Sequence, residues 1–165
     1  VRAILPLSDG RTLVVGAFTT WNGATANRVV VVDRDGYADP SVSFGVGFGS
    51  TVNGAIVEPD GKLLLYGAFT TYNDASAPYL VRLNADGTRD TTFTPPSPSG
   101  EITAVLRLPD GRYLIAGAFS TLGGVSTGRL ARLNANGTRD TTFNAGAGAN
   151  GTIHALARAS DGTLY

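Results

Sequence analysis

Short apolar runs separated by glycine-containing turns dominate the pattern of the chain. The clearest run is Leu13-Val14-Val15, which has no polar alternation and closely follows the turn Asp9-Gly10. An unbroken apolar run between turns is typical of a strand that is covered on both faces. Asp-Gly at the turn predicts a tight hairpin, because both residues tolerate positive φ. No window shows a 3.6-residue apolar period, so we predict strands and essentially no helix.

This pattern repeats with a period of about 50 residues. The first Asp-Gly turn recurs at residues 9, 60, 110 and 161, and a second turn follows at residues 35, 86 and 136. Since the spacing between the two turns never varies, the boundaries must lie in the Gly/Pro-rich stretches after the second turn. These boundaries define blade 1 (1–51), blade 2 (52–101), blade 3 (102–152) and the start of an incomplete blade 4 (153–165).

Each unit is predicted to form four short strands. A tandem four-stranded antiparallel unit of this length is typical of β-propeller blades, which bury their two faces by stacking. We therefore predict an all-β array of propeller-type blades; an open stack and a single β-sandwich are the alternatives. The predicted strands are 1–7, 12–18, 28–33 and a weaker one around Val42, with equivalents at 52–58, 63–69, 79–84 and Phe93, at 102–108, 113–119, 129–134 and Phe143, and at 153–159.

Two segments of blade 2 carry a family resemblance. Asp-Gly-Lys-Leu-Leu-Leu-Tyr-Gly-Ala-Phe-Thr-Thr at 60–71 and Leu-Asn-Ala-Asp-Gly-Thr-Arg-Asp-Thr-Thr-Phe at 83–93 resemble the bacterial delta-60 repeat. Blade 3 has the same pattern, whereas blade 1 departs from it over 32–42. The resemblance implies blades similar to those of NHL and kelch propellers, and a bacterial extracellular or cell-surface location. It implies no catalytic residues, because the motif consists of turn and core positions.

Composition narrows the classes of function. Lys and Arg total 13 and Asp and Glu total 13, so we expect neither nucleic acid nor an anionic membrane as partner. No apolar run approaches the roughly 20 residues that span a bilayer, so we expect no membrane insertion. The chain has no Cys, and His154 is its one histidine. His154 is interpreted as a solvated strand residue rather than a general base, and we do not expect an enzyme.

Residues 33–39 offer the best candidate for a metal site. They read Asp-x-Asp-Gly-x-x-Asp, with Asp33, Asp35 and Asp39 as the acidic positions. Calcium takes about six to eight oxygen ligands, so clustered carboxylates at a tight turn suit it. The equivalent positions in blades 2 and 3 lose acidic residues one by one. We therefore favour a hairpin turn stabilised by Asx side chains, with calcium as the alternative.

An acidic residue recurs four positions after each second turn, as Asp39, Asp90 and Asp140. These residues could be ligand carboxylates on one rim. The favoured interpretation is structural: each Asp accepts hydrogen bonds from nearby backbone N–H groups. Two arginine pairs also recur in blades 2 and 3, and they are interpreted as solvated strand residues and ion-pair partners rather than a ladder that contacts an acidic ligand. The pairs are Arg82 with Arg132, and Arg89 with Arg139.

The loop after the second strand carries Trp21, Tyr72 and Leu122 at equivalent positions. Exposed aromatic rings there could stack on sugars, which makes Trp21 and Tyr72 candidate ligand-binding residues. Leucine in blade 3 cannot supply such stacking. An apolar plug beneath the loop is therefore the favoured interpretation.

The last residue, Tyr165, aligns with Leu114 in the middle of a second strand. The sequence also lacks Met, and we expect a longer array or an assembly of several copies. The partners predicted for the chain are thus further blades or other copies of itself, and a protein or glycan ligand. We expect a non-enzymatic scaffold or adhesion module of a larger bacterial surface protein. A carbohydrate-binding propeller and a structural subunit of a fibre or ring are the alternatives.

Overall fold

The chain is built from strands and turns. The computed structural model describes all residues from Val1 to Tyr165 and contains no helix. It accordingly has no helix that could span a membrane. The residues divide into two compact units, Val1–Thr91 and Thr92–Tyr165. The all-β prediction is confirmed.

Each complete repeat forms a three-stranded antiparallel sheet whose second strand lies in the middle. A two-stranded hairpin of two-residue strands is inserted between the second and third strands of each sheet. The sequence pattern predicted only a loop there. In blade 1 the strands are β1 (Ala3–Pro6), β2 (Thr12–Val15), β3 (Thr20–Trp21), β4 (Ala24–Thr25) and β5 (Val29–Val32). In blade 2 they are β6 (Val52–Val57), β7 (Leu63–Gly67), β8 (Thr71–Tyr72), β9 (Ala75–Ser76) and β10 (Leu80–Leu83). In blade 3 they are β11 (Ile102–Arg107), β12 (Tyr113–Gly117), β13 (Thr121–Leu122), β14 (Val125–Ser126) and β15 (Leu130–Leu133).

The predicted fourth strand is reduced to one bridging residue in each blade. Ala38 pairs with Val32 in blade 1, and Arg89 and Arg139 pair with the equivalent leucines in blades 2 and 3. The Asp39 N–H still donates to Val31 O at 2.9 Å, but the Asp39 side chain then accepts the N–H of Ser41 at 2.8 Å. This local turn directs the chain away from the sheet before it reaches Val42.

Residues 153–165 form a hairpin tip without regular strands. The Thr163 N–H donates to Asp161 Oδ1 at 2.8 Å, and the Ala159 N–H donates to Thr163 O at 2.9 Å. Arg158 and Leu164 make the one bridge beyond the turn. Of the predicted strand 153–159, the part from Ala157 onwards is paired within this hairpin, where Ala157 and Tyr165 exchange backbone hydrogen bonds at 2.8 and 2.9 Å.

The core of the first unit lies between blades 1 and 2. Successive side chains of a strand point to opposite faces, so each unbroken apolar run supplies two faces. One face of each blade packs against the other blade, and the participating strand residues are at most 2% exposed. The backbone joins the blades as well, because the Val52 N–H donates to Gly16 O at 3.1 Å. These strand residues are Leu13, Val15, Val29 and Val31 of blade 1 and Leu63, Leu65, Val81 and Leu83 of blade 2.

Candidate functional site

The recurring aspartates are held by basic residues that follow the first turn. Arg11 donates from Nη1 to Asp39 Oδ2 at 2.8 Å and also pairs with Asp9 at 2.6 Å. Arg112 bridges Asp110 and Asp140 in the same way in blade 3. Lys62 takes this place in blade 2. We call each such group of a basic residue and its two aspartates a turn-end cluster.

A second cation joins the turn-end cluster in blades 2 and 3. Arg82 Nε donates to Asp90 Oδ2 at 2.8 Å, and Arg132 Nε donates to Asp140 Oδ2 at 2.8 Å. Arg82 also lies 3.6 Å from Glu58, and all three of these blade 2 side chains are buried. This geometry fits the ion-pair interpretation of the Arg82 and Arg132 positions.

The second arginine pair takes a different place. Arg89 Nη1 donates to Ser76 O at 2.8 Å, at the small hairpin of blade 2. Arg139, its equivalent in blade 3, lines a cavity of about 160 Å³ together with Arg132 and Phe143. The guanidinium of Arg132 lies 4.9 Å above the Phe143 ring. In blade 2, Arg89 thus contacts the small hairpin, while Arg82 joins the turn-end cluster.

Hydrogen bonding lowers the pKa of the recurring carboxyl groups in blades 1 and 3. Bonds from Ser41, and then the pairing with Arg11, lower the pKa of Asp39 to about 2. Bonds from Thr142, followed by those from Arg132 and Arg112, lower the pKa of Asp140 well below its usual range. A carboxylate that is fully hydrogen-bonded in this way is a poor proton donor at neutral pH. The turn-end clusters therefore act as structural ties between the two turns of a repeat.

The acidic motif at 33–39 forms a turn. Asp33 Oδ1 accepts the N–H of Asp35 at 3.0 Å and the N–H of Tyr37 at 2.9 Å. Asp39 instead faces Arg11. No group of three or more acidic or histidine side chains converges on one point. The three candidate calcium ligands are thus not brought together, and the geometry fits the Asx-turn interpretation.

The aromatic candidates after the second strand cover the apolar faces of their own sheets. Tyr72 is 4% exposed, and its hydroxyl donates to Gly87 O. Trp21 is half-buried, and its indole N–H donates to Gly36 O at 2.9 Å. Burial raises the pKa of Tyr72, with Asp86 adding to the effect. This arrangement fits the apolar-plug interpretation, and it leaves the Tyr72 ring no free face for a sugar.

The connector between blades 1 and 2 inserts an aromatic side chain into blade 2. Phe48 is 1% exposed, and its ring centroid lies 4.5 Å from that of Phe69 and 4.7 Å from that of Tyr72. The Asn73 N–H donates to Gly47 O at 2.8 Å, and the Gly49 N–H donates to Thr71 O at 3.1 Å. The connector thus adds an extended segment beside the hairpin β8–β9. We call the place that receives its aromatic side chain the connector seat.

The second unit contains the same arrangement with different residues. Pro98 pairs with Leu122 at the place where Phe48 pairs with Tyr72. The Gly123 N–H donates to Ser97 O at 2.8 Å, and the Ser99 N–H donates to Thr121 O at 3.0 Å. Sequence analysis treated these stretches only as linkers. The signal it missed was an apolar residue between two small ones, in Gly-Phe-Gly and in Ser-Pro-Ser.

The residue after the fourth-strand region makes a further repeated contact. The Ser43 N–H donates to Asp86 O at 3.1 Å, and the Thr94 N–H donates to Asn136 O at 3.0 Å. Phe93 packs so closely on Gly137 that a Cβ there would lie 3.0 Å from its ring. Gly137 also has φ of 88°, so the turn and the close approach both require glycine.

His154, the one histidine, is exposed and belongs to no acidic cluster. It lies next to Ile153, whose N–H donates to Gly117 O at 3.4 Å. His154 therefore occupies a surface position near the backbone of blade 3.

The repeated sheets, turn-end clusters and connectors define a protein of propeller-type blades. The chain belongs to a family described as a domain of unknown function (DUF5122) β-propeller, whose model matches residues 7–41, 58–93 and 108–143. Each match runs from the end of the first strand to the fourth-strand region, so most of each connector lies outside it. A search of curated proteins finds no match to this chain.

Proposed function

We propose that the chain is a non-enzymatic scaffold or adhesion module of a larger bacterial extracellular or cell-surface protein. The observation that supports this function is the repeated seating of one blade's connector on the hairpin of the next. The same pair of backbone hydrogen bonds recurs around Phe48 and around Pro98. A protein built from such junctions offers extended repeated surfaces for multivalent contact.

The charged residues that recur in each repeat support the same proposal. Asp39, Asp90 and Asp140 are each bound by a basic side chain of their own blade. A reactive site needs groups that are free to exchange protons or bind substrate. In these blades the recurring charges are engaged in holding the two turns together.

The proposed location is extracellular. It rests on the resemblance of 60–71 and 83–93 to the bacterial delta-60 repeat. Protease treatment of intact producing cells tests it, because an exposed protein is degraded while a cytoplasmic marker survives. Protection of the protein in intact cells, with degradation only after lysis, would contradict a surface location.

Adhesion is tested with beads coated with the folded chain. We expect such beads to be retained on cells of the producing bacterium, and we expect heat-unfolded protein on the same beads to lose this retention. Equal retention of folded and unfolded coatings would show non-specific sticking. No retention of either coating would contradict the adhesion function.

A lectin-like function is the second candidate, and an open groove between blades 1 and 2 that contains several polar side chains favours it. The groove has a volume of about 550 Å³ and is lined by Ser41, Asn73, Asp86 and Arg89, among others. Hydroxyl, amide and charged groups of this kind hydrogen-bond to sugars. On a glycan array, loss of signal in Arg89→Ala would assign binding to the groove, and loss in Trp21→Ala would assign it to the loop aromatics. Silence across a broad array would exclude this candidate.

A further inference from the structure

Blade 1 carries a connector seat of its own. Phe18, Trp21 and Ala26 stand at the places of Phe69, Tyr72 and Ala77 in blade 2. They pack on a second apolar face of blade 1, formed by Val14, Val30 and Val32. The ring centroids of Phe18 and Trp21 lie 5.9 Å apart.

The two seats differ in how well they are covered. In blade 2, Phe69 is 0% exposed, Tyr72 4% and Ala77 0%. In blade 1, Phe18, Trp21 and Ala26 are all only half-buried. Phe48 is one cause of the difference, because it lies against both Phe69 and Tyr72. The seat of blade 1 thus keeps apolar surface where blade 2 has an inserted aromatic ring.

The backbone of blade 1 offers the matching polar groups. In blade 2 the Thr71 carbonyl and the Asn73 N–H bind the connector. Thr20 and Asn22 occupy the same positions beside Trp21, and Asn22 shares the positive φ of Asn73, at 48° and 50°. An extended segment can therefore add to the hairpin β3–β4 as the connector adds to β8–β9.

We propose that the connector seat of blade 1, formed by Phe18 and Trp21, binds an extended segment from another blade of the same kind. This segment is equivalent to the connector that contains Phe48. The ligand of the seat is an aromatic side chain flanked by small residues. The residue after the inserted side chain is small in both connectors, as Gly49 beside Thr71 and as Ser99 beside Thr121, and Thr20 stands at the place of these threonines in blade 1. This inference deepens the proposed scaffold function and rests on it, since it names the surface and the partner.

The single tryptophan makes the seat directly observable. Trp21 is the one Trp in the chain, so its fluorescence reports on this site alone. The probe is a blocked peptide with the sequence of residues 42–50, Val-Ser-Phe-Gly-Val-Gly-Phe-Gly-Ser. The control peptide has Ser in place of the phenylalanine that corresponds to Phe48.

We expect the first peptide to cause a saturable blue shift of the Trp21 emission, and the control peptide to bind at least tenfold more weakly. Phe18→Ala removes one wall of the seat and is expected to weaken binding at least fivefold. Tyr37→Ala is the matched control, because it removes a 65% exposed aromatic residue next to Gly36 and leaves the seat intact. It is expected to bind the peptide like the unaltered chain.

Equal responses to both peptides would overturn the proposal, as would no response up to the solubility limit of the first peptide. A Trp21 response to glycans in place of the peptide would also overturn it and would favour the lectin-like candidate. If Phe18→Ala does not fold, the two peptides still decide the question on the unaltered chain. The bead experiment tests the adhesion function separately. Peptide binding by a chain whose beads are not retained on cells would support the connector seat of blade 1 and contradict the adhesion function.

Discussion

Arg82 donates from Nε to Asp90 Oδ2 at 2.8 Å, and both side chains are buried. The Asp90 carboxylate therefore has two basic partners: Arg82 from the third strand of the sheet, and Lys62, which follows the first turn. Blade 1 has Val31 where blade 2 has Arg82, so its turn-end cluster relies on Arg11 alone for the same task. An ion pair therefore links the two turns in every blade, although the basic residues that form it differ from blade to blade.

Asp90→Ala is expected to destabilise the chain by about 3 kcal/mol, because it leaves a buried guanidinium without its closest partner. The free energy of unfolding from urea titration measures the effect. Asp60→Ala is the matched control, since Asp60 is an exposed partner of Lys62, and its expected cost is below about 1 kcal/mol. Equal costs for the two variants would contradict the central role of Asp90.

Acid is expected to weaken blade 1 through Asp39. Its pKa lies near 2 in the folded chain against an ordinary value of 3.8. A lowered pKa contributes stability that is complete above the ordinary value and is lost as the pH falls from about 4 towards 2. Urea midpoints measured by Trp21 fluorescence should fall through this window. Asp39→Asn should be less stable at neutral pH and show a smaller acid dependence, and an unchanged dependence would refute the assignment.

Phe48→Ala is expected to cost about 3–5 kcal/mol, which is typical of removing a buried phenylalanine. Phe48 is 1% exposed and touches two rings of the seat in blade 2. Val46→Ala, two residues earlier and 49% exposed, is the matched control and should cost less than about 1 kcal/mol. Urea unfolding followed by Trp21 fluorescence compares them, and similar costs would show that the connector is only a linker.

Calcium is expected to leave the melting temperature unchanged. Asp33 accepts backbone N–H groups and Asp39 pairs with Arg11, so the three carboxylates of the motif do not face one ion. Thermal melts with excess calcium and with excess chelator measure this directly. A melting shift with calcium that disappears in Asp35→Asn would establish the metal site instead.

The strands and hairpins of this fold could be predicted because local chemistry encodes them. The Asp-Gly turns occur at constant spacing, and unbroken runs such as Leu13-Val14-Val15 are buried on both faces. The fourth strand was predicted from apolar residues such as Val42 and Phe93. The pattern could not show that the Asp39 side chain turns the backbone first.

The candidate site was less accessible to sequence reasoning because its contacts are long-range. Arg11 lies 28 residues from Asp39, and a pairing over that distance has no periodic signal. The connector seat was missed for a related reason, since Phe48 is one apolar residue in a glycine-rich stretch. Its partner, Tyr72, could be interpreted as an apolar plug only from its position in the repeat.

The connector binds on both of its sides. The Phe48 N–H donates to Asn27 O of blade 1 at 3.1 Å, while the next N–H along the chain, that of Gly49, donates to Thr71 O of blade 2. One junction therefore resides within a few consecutive residues. A gene duplication or deletion can add or remove one full period of about 50 residues. If its end points lie within the connector, the new connector still contacts the blade on each side in the same way. Arrays of this kind can gain or lose blades in register during evolution without inventing a new interface.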